Sequence, residues 1–154
     1  MQTNLTQGES EKLPVLIHIV NDTERIGDHS ENIIELVERK IENKLNLSIE
    51  EIKQLHLMWN ELHSMMVETE KALKQKDIAI AAKAIAREDR INALQVELKQ
   101  THVNRLSEKT CTLKSGVVFL DFVDNLEKIG DHLCNIVQGV LGGMCWKTTD
   151  KLKK

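Results

Sequence analysis

Glu24-Arg-Ile-Gly-Asp-His29, continued by Asn32-Ile33, returns later in the chain as Glu127-Lys-Ile-Gly-Asp-His132, continued by Asn135-Ile136. The offset is 103 residues, and upstream of each copy Ile17, Ile19 and Val20 fall on Leu120, Phe122 and Val123. Six near-identical positions with a glycine held between charged residues mark an internal repeat, not an accident of composition. Around both copies the apolar residues recur every three or four positions. That period is helical, and it decides the fold class.

The first copy belongs to a helix predicted to run to about Asn43, with Ser10 as its N-cap and Pro14 in its first turn. Its apolar stripe reads Leu16, Ile19, Ile26, Ile33 and Val37, with Thr23 and Ser30 filling the remaining steps. The second copy belongs to a helix that starts after Ser115-Gly116 and stops near Leu141, where Gly142-Gly143 follow. Phe119, Phe122, Leu126, Ile129, Leu133, Ile136 and Val140 form its core stripe.

Two more helices fit between them. One spans about 49–74, opened by a Ser48…Glu51 capping box and striped by Ile52, Leu55, Trp59, Leu62, Met66 and Leu73. The other spans about 77–106 from Asp77, with Ile80, Ala84, Ile91, Leu94 and Leu98 on one face. Its opposite face carries Ile78, Ala82, Ile85, Asp89, Asn92, Val96 and Val103, an apolar stripe interrupted by two polar groups. Short connections imply antiparallel neighbours, so the expected fold is all-α, an up-and-down bundle of four long helices. Residues 1–11 read as a lead-in, 12–142 as the domain, and 143–154 as a basic tail with Lys147, Lys151, Lys153 and Lys154.

Composition agrees, with aromatics at 3%, no Tyr and a single proline in 154 residues. A net charge of −3 supplies no general attraction to nucleic acid or anionic lipid. The apolar runs, Val117–Leu120 among them, fall far short of the ~20 residues of a membrane span. Cys111, Cys134 and Cys145 form no CxxC pair, and their odd number suits reduced thiols in a cytoplasmic protein. The first ten residues are polar and do not resemble a secretory signal. His56 and His63 are a heptad apart, about 10 Å along the axis, and read as structural.

The repeated phrase also carries chemistry. Glu127 and Asp131 lie one turn apart on one helix face, with Asp124 extending the line, and Glu24 and Asp28 repeat the pair. Like charges four apart cost a helix about 0.2–0.5 kcal/mol. A mid-helix glycine, here Gly27 and Gly130, costs about 1 kcal/mol relative to alanine, which points to close approach by a neighbour. Asp89 and Asn92 offer another oxygen pair. Oxygen-rich clusters without thiolate suit magnesium, manganese or iron, with zinc a further candidate, and His29 and His132 stand beside the aspartates. There is no Glu-x-x-His pair of the ferritin type, no nucleophile arrangement and no glycine-rich phosphate loop, which argues against an enzyme.

At these residues the chain resembles the PhoU family of phosphate-uptake regulators. Its members carry two three-helix repeats, each ending in a helix with a Leu-Glu-Arg-Ile-Gly-Asp-His-like segment that contains an E(D)xxxD metal motif. The likeness covers about residues 12–142 and rests on Glu24–Asp28, Glu127–Asp131, and Asn32 and Asn135 after the histidines. It implies a divalent or transition metal ion held by Glu127, Asp131, Asp124, Asp89 and Asn92, with Glu24 and Asp28 in a first site. Only a dozen residues precede the first helix, so the chain opens at the last helix of repeat one, and that first site is incomplete or finished by another chain. The shortened form is similar to the C-terminal cytoplasmic region of bacterial sodium/phosphate cotransporter-like membrane proteins.

The expectation is a non-enzymatic, metal-binding regulatory domain of phosphate uptake. It would be cytoplasmic, partnered by a membrane phosphate transporter, and self-associating through helix 12–43, whose Val20, Ile34 and Ile41 would be left exposed. The alternatives are a structural oligomerisation bundle with solvated acids, and a carboxylate-metal hydrolase or oxidase.

Overall fold

Ser48 opens one helix as its sequence predicts: its hydroxyl accepts from Glu51 N, and the Glu51 carboxylate reaches back to Ser48 N at 2.7 Å. Asp77 caps the next helix by accepting from Ala79 N and Ile80 N, and Thr112 caps the last by accepting from Ser115 N. A computed structural model describes residues 6–108 and 111–142. Within them lie α1 (Gln7–Glu42), α2 (Ile49–Gln75), α3 (Ile78–Ser107) and α4 (Leu113–Val140), with no strand among the described residues. The all-α, up-and-down architecture is the one the periodicity predicts.

Side-chain pairs fix the register. Arg87 meets Glu61 and Glu68 while Arg105 meets Gln54, so α2 and α3 are antiparallel. Gln95 meets Asp124, and Ile91 packs on Gly130, so α3 and α4 are antiparallel as well. These three helices share one core, in which Met58, Leu62, Met65, Ile91, Leu98, Phe119 and Val123 are buried. α1 stands apart: of the other helices it packs against α4 alone. The bundle is therefore closed by three helices, with the fourth laid antiparallel along the outside of α4.

Two boundaries differ from expectation. α1 begins at Gln7, so Ser10 and Pro14 lie inside the helix instead of at its start. α4 begins before Ser115-Gly116, because Thr112 supplies the cap and leaves Gly116 buried in the first turn. Gly142 follows the last helix at φ 71°, a left-handed backbone that glycine adopts freely. Gly143, Cys145 and the lysines of the tail lie outside the described residues.

The stripe of α1 is also displaced by one position. Leu16 is 57% exposed, and Thr23 and Ser30 merely hydrogen-bond the carbonyls of Ile19 and Ile26. The face against α4 runs instead through Val15, Ile19, Asp22, Ile26, His29, Ile33 and Leu36, at strict three-and-four spacing. The two polar members, Asp22 and His29, hide this seam from a purely apolar search.

Candidate metal centre

The second copy of the repeated phrase lies where α4 meets α3. A Cβ added at Gly130 would stand 3.4 Å from Ile91 Cδ1 and 3.8 Å from Leu62 Cδ1, so both neighbours lie in contact range of the helix at this glycine. One turn below, Glu127 is buried, with Oε2 making no hydrogen bond and Lys128 Nζ 3.1 Å away. The same ammonium is 3.0 Å from Asp131 Oδ2. Burial pulls Lys128 down, but Asp131 and Glu127 together outweigh it and hold the ammonium above the usual lysine value. The lysine therefore acts as an internal cation for the carboxylate pair.

The α3 contribution is not the pair expected. Asp89 is exposed, on a face shared with the exposed Ile78, Val96 and Val103, so that stripe looks to solvent. Its neighbour Glu88 is buried and accepts from Asn92 Nδ2 at 2.8 Å, while Asn92 Oδ1 is buried without a hydrogen bond. The register set by Gln95–Asp124 and Ile91–Gly130 puts Asn92 opposite Glu127 and Glu88 opposite Asp131. Glu88-x-x-x-Asn92 repeats the four-residue spacing of Glu127-x-x-x-Asp131, a signal in the sequence that a search at three-residue spacing passes over. Asp124 is already engaged, accepting from Gln95 Nε2 at 2.9 Å and pairing with Lys99.

Glu24 and Asp28 have a different setting. Both are exposed, Asp28 faces Arg25 at 3.7 Å, and a Cβ at Gly27 would meet nothing within 4 Å. Among the described residues no helix lies across this copy as α3 lies across the other.

The histidines and asparagines that follow each motif join the two copies to one another. His132 Nδ1 donates to Asp22 Oδ1 at 2.8 Å, and Asn135 Nδ2 donates to the same oxygen at 3.1 Å. By the same pattern His29 Nδ1 and Asn32 Nδ2 lie 2.9 and 3.2 Å from Asn125 Oδ1. Asp22 and Asn125 are themselves equivalent positions of the repeat, so the α1–α4 seam is a pseudo-two-fold clasp. The rings of His29 and His132 stack at its centre, 5.6 Å apart. The histidine next to each aspartate is thus committed to helix pairing. His56 and His63 are exposed, and His63 lies against Trp59.

The buried Asn92 Oδ1, which makes no hydrogen bond, and Glu127 Oε2 beside Lys128, together with the carboxylates of Glu88 and Asp131, form a donor set that fits a hard or intermediate cation. The carboxylates of the two motif copies are not gathered into a tight group. The three-residue cluster whose donor atoms converge, among the described residues, is Glu51, His102 and Cys111 at another end of the bundle.

The profile of the PhoU domain matches residues 1–37 and 55–140. The chain is 27% identical over 126 residues to phosphate-specific transport system accessory protein PhoU homolog 1 of Thermotoga maritima, covering 82% of this chain and 53% of that protein. It is 24% identical over 150 residues to a phosphate-specific transport system accessory protein PhoU homolog of Clostridium acetobutylicum, covering 97% of this chain and 67% of that one. The chain thus spans about half the length of the first relative and about two thirds of the second. No solved structure gives a significant match.

Proposed function

The chain belongs to the PhoU domain family, and from that premise we propose that it is a regulatory domain of phosphate transport that binds a metal ion between α3 and α4. The relatives named as accessory proteins of phosphate-specific transport support the regulatory half of this reading. The metal half is carried by one observation: on facing helices Asn92 Oδ1 is buried without a hydrogen bond, and buried Glu127 has its Oε2 balanced by the Lys128 ammonium 3.1 Å away. An unmatched buried polar atom costs about 1–3 kcal/mol, which a bound cation would recover.

Glu88, Asn92, Glu127 and Asp131 would hold the ion, with Lys128 swinging out as it enters. Asp89 is not among them, and Asp124 would join only by giving up Gln95 and Lys99. Iron, zinc, manganese and magnesium all suit such oxygen donors. A bound ion would supply positive charge, and with it a place for phosphate or an acidic group of a partner to dock. The reading is non-enzymatic. The working location is the cytoplasmic side of a membrane phosphate transporter, such as a sodium/phosphate cotransporter, in the same chain or a separate one. No helix among the described residues is long and apolar enough to cross a membrane.

Elemental analysis after chelation and reloading tests the site. The wild-type chain should retain an ion that Glu127→Gln with Asp131→Asn loses. Equal metal content in the two proteins would remove the site from this position.

Self-association belongs to the same reading. Ile17, Val20, Ile34 and Ile41 of α1 are 51–67% exposed, on the side away from α4. A second copy that paired through α1 would cover them and bring groups to the open side of Glu24 and Asp28. Light scattering should show a dimer or larger species, and a monomer throughout a concentration series would overturn that part.

A further inference from the structure

Glu51 from the first turn of α2, His102 from the last turns of α3 and Cys111 from the α3–α4 connection converge, with one donor atom from each within 4.8 Å of the others. Glu51 is 1% exposed and His102 is fully buried. The capping box uses only one oxygen of Glu51: Oε2 accepts from Ser48 N and from Ser48 Oγ, at 2.7 and 2.9 Å. Oε1 accepts no hydrogen bond, and neither ring nitrogen of His102 makes one. His102 Nδ1 is 3.6 Å from that oxygen.

The fold makes room for this arrangement. Gly116 faces His102 so closely that an added Cβ would stand 2.3 Å from Nε2. Only a residue without a side chain lets the imidazole lie there. The ring is held against Phe119, with centroids 5.5 Å apart. A pocket of about 280 Å³, open to solvent and bordered by Lys44, Ser48, Glu51, Cys111, Thr112 and Ser115, reaches two of the three members, Glu51 and Cys111.

We propose that Glu51, His102 and Cys111 form a zinc-binding site, with the fourth position taken by water from the pocket. One carboxylate oxygen, one imidazole nitrogen and one thiolate make a borderline-soft donor set that favours zinc over the all-oxygen preference of magnesium or calcium. Bonds of about 2.0–2.3 Å require the donors to draw together by roughly 1 Å. Cys111, outside any helix, is the group free to make most of that movement. Binding releases one proton, that of the Cys111 thiol, to solvent, and no electrons are transferred.

Zn²⁺ with one carboxylate and one thiolate is a neutral centre. It is therefore compatible with Arg105, whose Nη2 lies 3.6 Å from Glu51 Oε1 and whose guanidinium also covers Phe119. The ion would tie the start of α2, the end of α3 and the connection into α4 at one point. This site is separate from the oxygen donors of Glu88, Asn92, Glu127 and Asp131, and neither depends on the other.

Cobalt titration of the chelator-stripped full chain, followed by zinc, tests the site. One equivalent of Co²⁺ should produce the near-ultraviolet thiolate-to-cobalt absorption, and Zn²⁺ should displace it. Cys111→Ser, at a partly exposed position outside the helices, should keep the helical circular dichroism and lose the band. Glu51→Gln should weaken Co²⁺ binding at least tenfold. Glu127→Gln with Asp131→Asn should leave the band intact, so failure of the oxygen site and failure of this one are read separately. No band in the wild-type chain, or a band that survives in Cys111→Ser, would overturn the proposal.

Discussion

Gly27 and Gly130 occupy the same place in the same six-residue phrase, yet one faces open space and the other carries the weight of Ile91 and Leu62. Their acidic neighbours divide in the same way. Glu127 is buried opposite Asn92, while Glu24 and Asp28 are exposed with nothing laid across them. A motif therefore specifies which groups a helix presents, and the neighbouring helix decides whether they are buried against partners. α4 has α3 in that position; among the described helices α1 has only α4, on its other face.

The largest expected effect separates the two copies by metal binding. At an ion concentration 100-fold above the dissociation constant, binding stabilises by about 2.7 kcal/mol. A melting-temperature rise of roughly 5–10 °C should follow in a chain of this size. With the other cluster removed by Cys111→Ser, Glu127→Gln with Asp131→Asn should abolish the rise, and Glu24→Gln with Asp28→Asn should leave it. The reverse ranking would break the comparison.

Leucine at the two glycines gives the next largest effect. Gly130→Leu must displace Ile91 and should cost about 1–3 kcal/mol in urea unfolding. Gly27→Leu meets no neighbour and should be neutral, or stabilising by up to about 1 kcal/mol through helix propensity. Equal midpoints for the two variants would mean that α3 does not lie where Gly130 receives it.

The clasp between α1 and α4 is symmetric in position and unequal in charge. Asp22 takes hydrogen bonds from His132 and Asn135 as a carboxylate, and Asn125 takes those of His29 and Asn32 as a neutral amide. Asp22→Ala should therefore cost about 2 kcal/mol and Asn125→Ala about 1 kcal/mol, by urea unfolding at neutral pH. A larger loss at Asn125 would assign the helix pairing to the other half of the clasp.

The smallest effect is a graded one, and it contrasts these partnered histidines with His102. Burial, then the charge of Arg105, holds His102 below its ordinary value of 6.5, against the opposing pull of Glu51. In the unfolded chain the ring protonates near that ordinary value, so below it the unfolded state binds the extra proton. In chelator, stability from this group should be fully present above about pH 6.5 and decline as pH falls below it, with His102→Gln flattening the slope. A slope unchanged in that variant would assign the acid sensitivity to other groups.

Much of this was legible in advance because it is local. Helix number, the Ser48–Glu51 box, the Asp77 cap and the stop at Gly142 follow from neighbours within a few residues. The α1 seam shares Ile19, Ile26 and Ile33 with the apolar stripe, but its polar members Asp22 and His29 fall outside any apolar pattern. Glu88 is not singled out by the sequence, because nothing in it says which side of α3 is turned to α4. The cluster of Glu51, His102 and Cys111 was invisible, since its members are 51 and 9 residues apart and share no spacing rule.

By itself the sequence determined the helices, the Ser48 and Asp77 caps, the doubled acidic phrase and, through that phrase, the family. Those are properties of short stretches, set by backbone hydrogen bonding and by the 3.6-residue period. Only the tertiary structure decided that the second copy faces buried partners and the first does not, and that His29 and His132 pair helices. The reason is that burial and partnership belong to pairs of helices, and their register is fixed by packing such as Ile91 on Gly130, which no single stretch contains.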